Sequence, residues 1–180
     1  ATCLNEKNEI IRPCILWNDT RSHQECEEIM RDNSVKDIAG NIAMPGFTAP
    51  KVLWLKYNEP ENFKSINKVL LPKDFLRFYL TGDFYSDLSD ASGTYWLDIA
   101  KREWSQKLLD AGSMQISQMP KVCEGTDQTG TLKKEIADKY GFSQNCKVYG
   151  GAGDNAAAAV GLGLYEAVSY THLTLPTIGE

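Results

Sequence analysis

Nowhere in the 180 residues does an apolar run reach the length a membrane-crossing helix needs, about 18 side chains. The opening stretch, Ala1 to Glu9, has neither a basic n-region nor an apolar h-region, which speaks against a secretory leader. Basic stretches are absent as well. The 19 Lys and Arg are interspersed with 24 Asp and Glu for a net charge of −5. No row of phosphates would be neutralised, so nucleic acid is not an expected partner. Cysteine is sparse: Cys3, Cys14, Cys26, Cys123 and Cys146 are an odd count, widely spaced, without a Cys-x-x-Cys pair, and only two histidines could complete a metal site. That pattern argues against structural zinc and for reduced thiols. Internal repeats and low-complexity linkers are missing too. Together these absences point to a soluble protein of the cytoplasm with no membrane or nucleic-acid partner.

What is present is a globular composition, 42% hydrophobic and 24% charged, enough to bury one core of ordinary size. The punctuation is that of an alternating α/β protein. Pro13-Cys14-Ile15-Leu16-Trp17 reads as a strand, and Ser22-His23-Gln24-Glu25 as a capping box that opens a helix over roughly Ser22 to Arg31. Val69-Leu70-Leu71 reads as a strand. It meets Pro72, which suits the first position of a helix because it has no N–H to leave unpaired, and that helix ends at Thr81-Gly82. A further helix is expected over Thr131 to Tyr140. The strand Lys147-Val148-Tyr149 then runs into a glycine turn and a small-residue helix from Asp154.

The two ends differ in character from the middle. Pro13–Trp17 follows a polar opening with no earlier element to pair with it, so an upstream portion is expected. After the helix-forming run Asn155 to Ala167, residues 168–180 turn rich in Thr and Leu and resemble translated adapter or cloning sequence. A disordered native terminus is the alternative. The domain is placed at residues 1–167 on this reading, with 168–180 a non-native tail.

Three readings compete for Gly150-Gly151-Ala152-Gly153-Asp154-Asn155-Ala156. As a nucleotide loop it satisfies a loose dinucleotide fingerprint, yet Asp154 would set a carboxylate where a pyrophosphate should meet the helix N-terminus. As plain structure, Asp154 is an N-cap, for which aspartate is among the best residues. As a catalytic site, the glycines let a substrate approach the backbone and leave Asp154 exposed to accept a proton from a hydroxyl, with Asn155 beside it to hydrogen-bond the same substrate.

Here the segment resembles the Gly-Gly-Asp-Asn-Ala stretch of the FGGY carbohydrate kinases, whose aspartate is the catalytic base. Three more stretches agree in order. Ile15-Leu16-Trp17-Asn18-Asp19-x-Arg21 resembles the family's Trp-x-Asp-x-Arg segment, and Met44–Trp54, with Lys51 and Trp54, resembles its Lys-x-x-Trp signature. Leu71–Gly82 followed by Ser86-Asp87-Leu88-Ser89-Asp90-Ala91-Ser92-Gly93-Thr94 is similar to the branch that phosphorylates D-xylulose. The resemblance runs over roughly Pro13 to Ala167.

It implies an incomplete lobe of the ribonuclease H-like, actin and hexokinase type, the second part of an N-terminal kinase domain. It also implies transfer of a phosphoryl group from ATP, with Mg²⁺, to the C5 hydroxyl of D-xylulose. A sugar hydroxyl is a very weak acid, so the carboxylate of Asp154 would align the oxygen and take its proton as the bond to phosphorus forms. The positive end of the helix favours a carboxylate there. Trp17 would lie against the sugar, its indole covering C–H surface; a core tryptophan at a strand end is the alternative. Asp19 and Arg21 read as a plain ion pair. Trp54, Trp96 and Trp104 read as core, His23 as the polar side of its helix, and the Asp87–Ser92 loop as turns and caps. The family's Asp-x-Gly-Thr and Gly-Thr-x-Gly phosphate turns have no counterpart here, so no residue is assigned to ATP and the isolated chain is expected to be inactive. A homodimer is allowed for the whole protein. Glycerol, ribulose or gluconate as the substrate, and a non-catalytic sugar-binding lobe, stand as alternatives.

Overall fold

The computed structural model describes residues 1–164; the expected tail at 168–180 lies outside them. In chain order the elements begin with β1 (Thr2–Leu4), α1 (His23–Ile29), α2 (Ser34–Ala39), α3 (Thr48–Asn58) and α4 (Pro60–Lys64). Next come β2 (Lys68–Leu70), α5 (Pro72–Thr81), β3 (Tyr85–Asp87), α6 (Leu88–Ala91), β4 (Leu97–Asp98), β5 (Glu103–Trp104) and α7 (Gln106–Ala111). β6 (Lys121–Cys123), β7 (Gln128–Thr131), α8 (Lys134–Tyr140), β8 (Lys147–Tyr149) and α9 (Asp154–Gly161) complete the described part. Among the described residues no helix is long and apolar enough to cross a membrane.

The strands pair in twos. β1 runs antiparallel to β2, β4 to β5 and β7 to β8, while β3 and β6 are parallel, with Ser86 opposite Val122. The main core lies where α3 meets β1, β2, α1 and α7. Val52, Leu53 and Leu55 of α3 pack there with Cys3, Cys26, Ile29, Val69, Tyr95, Trp96, Leu108 and Leu109, each at most 4% exposed. Trp54 and Trp104 lean on this core half-buried, so the reading of the three tryptophans as core holds.

Several local expectations give way to tertiary structure. Pro13–Trp17 is irregular, and the strand is the earlier Thr2–Leu4. Pro13 has no N–H for a ladder, and β1 already takes β2 as its partner. The capping box does not form: Ser22 precedes α1, but its hydroxyl donates to the Pro45 carbonyl at 3.4 Å and Glu25 is buried. α8 starts at Lys134 because Thr131 belongs to β7. The last helix spans Asp154–Gly161; of its expected extension, 162–164 are not helical and 165–167 lie outside the described residues. By contrast α5 has the predicted bounds. Pro72 is its first residue and Gly82, at φ 91°, accepts the left-handed conformation that closes it.

That helix has an unusual inner face. Asp74 and Arg77, three residues apart and so on one side of the helix, are its buried residues, whereas Leu76 and Tyr79 face out. A charged helix face turned inward needs partners, and those partners lie around the glycine turn before α9.

Candidate functional site

The turn between β8 and α9 is fixed at both ends. On entry, Gly150 N donates to the Asp127 carbonyl at 3.0 Å and Gly151 N to the Gly125 carbonyl at 2.9 Å. A Cβ on Gly150 would stand 2.3 Å from the Glu124 carbonyl oxygen, so only glycine fits this close approach of two backbones. Gly151 has φ +74°, the left-handed region. The approach that requires Gly150 is therefore that of the protein's own chain, not of a ligand as expected from the sequence. At the exit, Gly153 N donates to Ser89 Oγ at 3.0 Å. Asp154 follows as the first helical residue, with Asn155 next to it, both exposed. Gly153 holds the N-cap position, so Asp154 is not the cap that its residue type suggested, and its side chain makes no capping bond. Among the described residues no ion pair or hydrogen bond engages the Asp154 carboxylate.

Beneath the turn lies a network of buried charge. Arg77, 4% exposed, donates to Asp74 at 3.1 Å, to the Tyr85 carbonyl at 2.7 Å and to the Gly150 carbonyl. Asp74, fully buried, also accepts from Ser86 Oγ at 2.6 Å and Lys73 Nζ at 2.7 Å. The same Lys73 ammonium stands 2.6 Å from Asp87 and 3.5 Å from Asp90. Asp87 caps α6 through Asp90 N at 3.1 Å and accepts the Ser89 hydroxyl proton. Burial opposes charge on Lys73, but Asp74 and Asp87 outweigh it and raise its pKa. Burial likewise opposes ionisation of Asp87, yet bonds from Lys73 and Ser89 keep its pKa below the ordinary value. For Asp90, burial prevails, helped by the negative charges of Asp74 and Asp87, and its pKa is raised although Lys73 pulls the other way.

Trp17 precedes α1, in the loop that meets Gly46. It is 71% exposed, which removes the alternative of a core tryptophan. Its backbone carbonyl lies against Gly46, where an added Cβ would come within 3.1 Å. The Gly46 carbonyl in turn accepts from Lys51 Nζ at 2.6 Å, and burial lowers the pKa of that lysine. Asp19 and Arg21 form the expected ion pair at 2.8 Å, and the Arg21 guanidinium also sits 4.8 Å over the Trp54 ring. Among the described residues no hydrogen bond or ion pair joins this region to the Asp154 turn. Two small cavities of about 10 Å³ each, room for one water, are lined by neither Trp17, Asp154 nor Asn155. All three stand on open surface.

Chemically, the arrangement offers a carboxylate at a helix start that has no ion pair among the described residues, on a turn that a charged network holds in place. Such a group can align a hydroxyl and take its proton. Lys73, Asp74 and Arg77 were not singled out from sequence, and Ser89 was read, with Asp87, Asp90 and Ser92, only as part of a loop of turns and caps. The one available signal was the pair Asp74 and Arg77 at helical spacing, which ordinarily denotes a solvated face.

The description "FGGY family of carbohydrate kinases, N-terminal domain" matches residues 1–161. The chain is 49% identical over 180 residues to the xylulose kinase of Escherichia coli (strain K12), covering 99% of this chain and 37% of that protein. Among solved structures, a xyloylose kinase from Brucella ovis is 49% identical with a TM-score of 0.86, covering 89% of this chain and 33% of the other. A gluconate kinase from Lactobacillus acidophilus is 27% identical with a TM-score of 0.84, over 90% and 34%. The chain thus spans about a third of the length of these relatives. Its fold is that of an α/β, ribonuclease H-like lobe of the actin and hexokinase type, in part, as the sequence led us to expect.

Proposed function

The chain belongs to the FGGY family of carbohydrate kinases, and on that premise we propose that the protein containing it phosphorylates the C5 hydroxyl of D-xylulose, with Asp154 as general base. The observation that carries this reading is the exposed Asp154 carboxylate, first in α9 and free of ion pairs among the described residues. A carboxylate tied into a salt bridge would have to break it before accepting a proton; this one need not. Its acceptor oxygen would sit within hydrogen-bond reach of the sugar hydroxyl, holding a lone pair of that oxygen toward phosphorus and receiving the proton as the new bond forms. Asn155, next along the helix, would hydrogen-bond the same sugar, and Trp17 would cover its C–H surface with an exposed indole face.

ATP is the second substrate and supplies the phosphoryl group, with Mg²⁺ to neutralise its charge. Among the described residues no group of three His, Cys, Asp or Glu side chains is placed to hold a metal, and the role assigned to Asp154 is acceptance of the hydroxyl proton by its own carboxylate. The isolated 180-residue chain is expected to show no turnover, and a cytoplasmic setting suits a soluble sugar kinase. Eight curated relatives, 34–49% identical, are xylulose kinases, which supports D-xylulose as the acceptor. A substrate panel on the full-length protein tests this: D-xylulose should be phosphorylated with the highest kcat/KM among D-xylulose, ribulose, gluconate and glycerol. Preference for another acceptor overturns the substrate assignment, and sugar binding without any phosphate transfer overturns the kinase reading.

A further inference from the structure

We propose that Ser89 is a positioning residue for Asp154: its hydroxyl fixes the backbone from which the carboxylate projects. This rests on the reading of Asp154 as the base. Gly153 N is 3.0 Å from Ser89 Oγ and donates to it. The Ser89 hydroxyl has a single proton, which goes to Asp87 Oδ2, so its lone pairs point back at Gly153. Asp87 is itself buried, 1% exposed, bound to Lys73 at 2.6 Å and capping α6. A chain of contacts therefore runs from α5 through Lys73, Asp87 and Ser89 to the last residue before Asp154.

No side chain could do this at Gly153, and the contacts around it are loose. An added Cβ would find Asp90 atoms no nearer than 3.5 Å, ordinary van der Waals distance. Its φ of −60° is open to any residue. The Gly153 carbonyl accepts from Ala157 N at 2.9 Å within α9; the side-chain hydrogen bond that ties this point to the rest of the fold is the one to Ser89, while Arg77 anchors the other end of the turn at the Gly150 carbonyl. Ser89 is exposed, so deleting its oxygen opens no cavity, although it takes one donor from the buried Asp87 carboxylate. What changes is the freedom of Gly153, and with it the aim of the Asp154 carboxylate. A displacement of about 1 Å at a reacting group can lower the rate by roughly a hundredfold.

The test compares Ser89→Ala, Ser89→Thr and Asp154→Ala in the full-length protein, by steady-state kinetics with D-xylulose and by thermal unfolding. Ser89→Ala should lower kcat by roughly ten- to a hundredfold, with KM for the sugar unchanged and a modest fall in Tm because buried Asp87 loses a donor; kcat is read well below that Tm. Ser89→Thr, which restores the hydroxyl, should recover most of the loss. An unchanged kcat in Ser89→Ala overturns the proposal, as does a loss that threonine fails to restore or that appears in KM instead of kcat. If Asp154→Ala is inactive while Ser89→Ala is not impaired, positioning alone is refuted. If Asp154→Ala turns over normally, the base assignment fails and this inference fails with it.

Discussion

Arg77→Met isolates the charge buried under the glycine turn, because methionine keeps most of the side chain's apolar length and removes only the guanidinium. Arg77 pairs with Asp74 and donates to the carbonyls of Tyr85 and Gly150. Breaking a buried ion pair by deleting one partner costs about 3–5 kcal/mol, since the other charge is left behind. Asp74 keeps Lys73 at 2.7 Å and Ser86 at 2.6 Å, which places the cost at the lower end, about 3 kcal/mol. Two backbone carbonyls also lose a donor. With a urea slope of about 2 kcal/mol per molar, the midpoint should fall by roughly 1.5 M. Repeating the substitution in an Asp74→Asn background should cost less by about 1–3 kcal/mol, the coupling expected of residues in direct contact. A loss under about 1 kcal/mol, or equal losses in both backgrounds, would show that the buried network does not hold this part of the fold.

Other consequences are as open to measurement. Gly112→Ala would place a Cβ 2.6 Å from Trp96 Nε1, on an indole only 1% exposed. It should cost about 1–3 kcal/mol by denaturant unfolding, and an unshifted midpoint would count against that packing. Trp17→Ala should leave stability within about 0.5 kcal/mol because the ring is already in solvent. It should raise KM for the sugar roughly three- to tenfold, the size of one aromatic contact; an unchanged KM would remove Trp17 from the site. Burial pushes the Cys3 thiol up to about 11 from its ordinary 9.0. Between those values the unfolded chain loses that proton and the folded chain keeps it, so the contribution present below pH 9 declines as pH rises toward 11. The decline is about 2–3 kcal/mol, and Cys3→Ala should flatten the stability profile by that amount. Parallel profiles for the two proteins would contradict it.

How far the structure was legible in the sequence varied with how local the cause was. α5 was read to the residue because Pro72 and Gly82 set its ends through backbone conformation alone. β8 and the start of α9 were legible for a similar reason, a short strand running into glycines. β1 was missed because three residues carry no periodicity, and the apolar Pro13–Trp17 run outweighed them. Ser22 and Glu25 match a capping box in sequence, but the loop at Pro45 captures the hydroxyl and the core encloses the glutamate. The candidate base and its exposure were visible from the turn and the family resemblance. Its supports were not: Arg77 and Ser89 bond the turn from α5 and α6, 64 or more positions away in the chain, with Asp74 and Lys73 behind them. Charges at helical spacing read as solvated until the partner that buries them is known.

The central claim is that Asp154 accepts the proton of the sugar hydroxyl. It is tested most directly by Asp154→Asn in the full-length protein, which keeps the size of the side chain and removes its basicity. D-Xylulose binding by calorimetry should be nearly unchanged, while kcat falls by roughly a hundred- to ten-thousandfold. Turnover at the original rate would contradict the account and leave Asp154 as merely the first residue of α9.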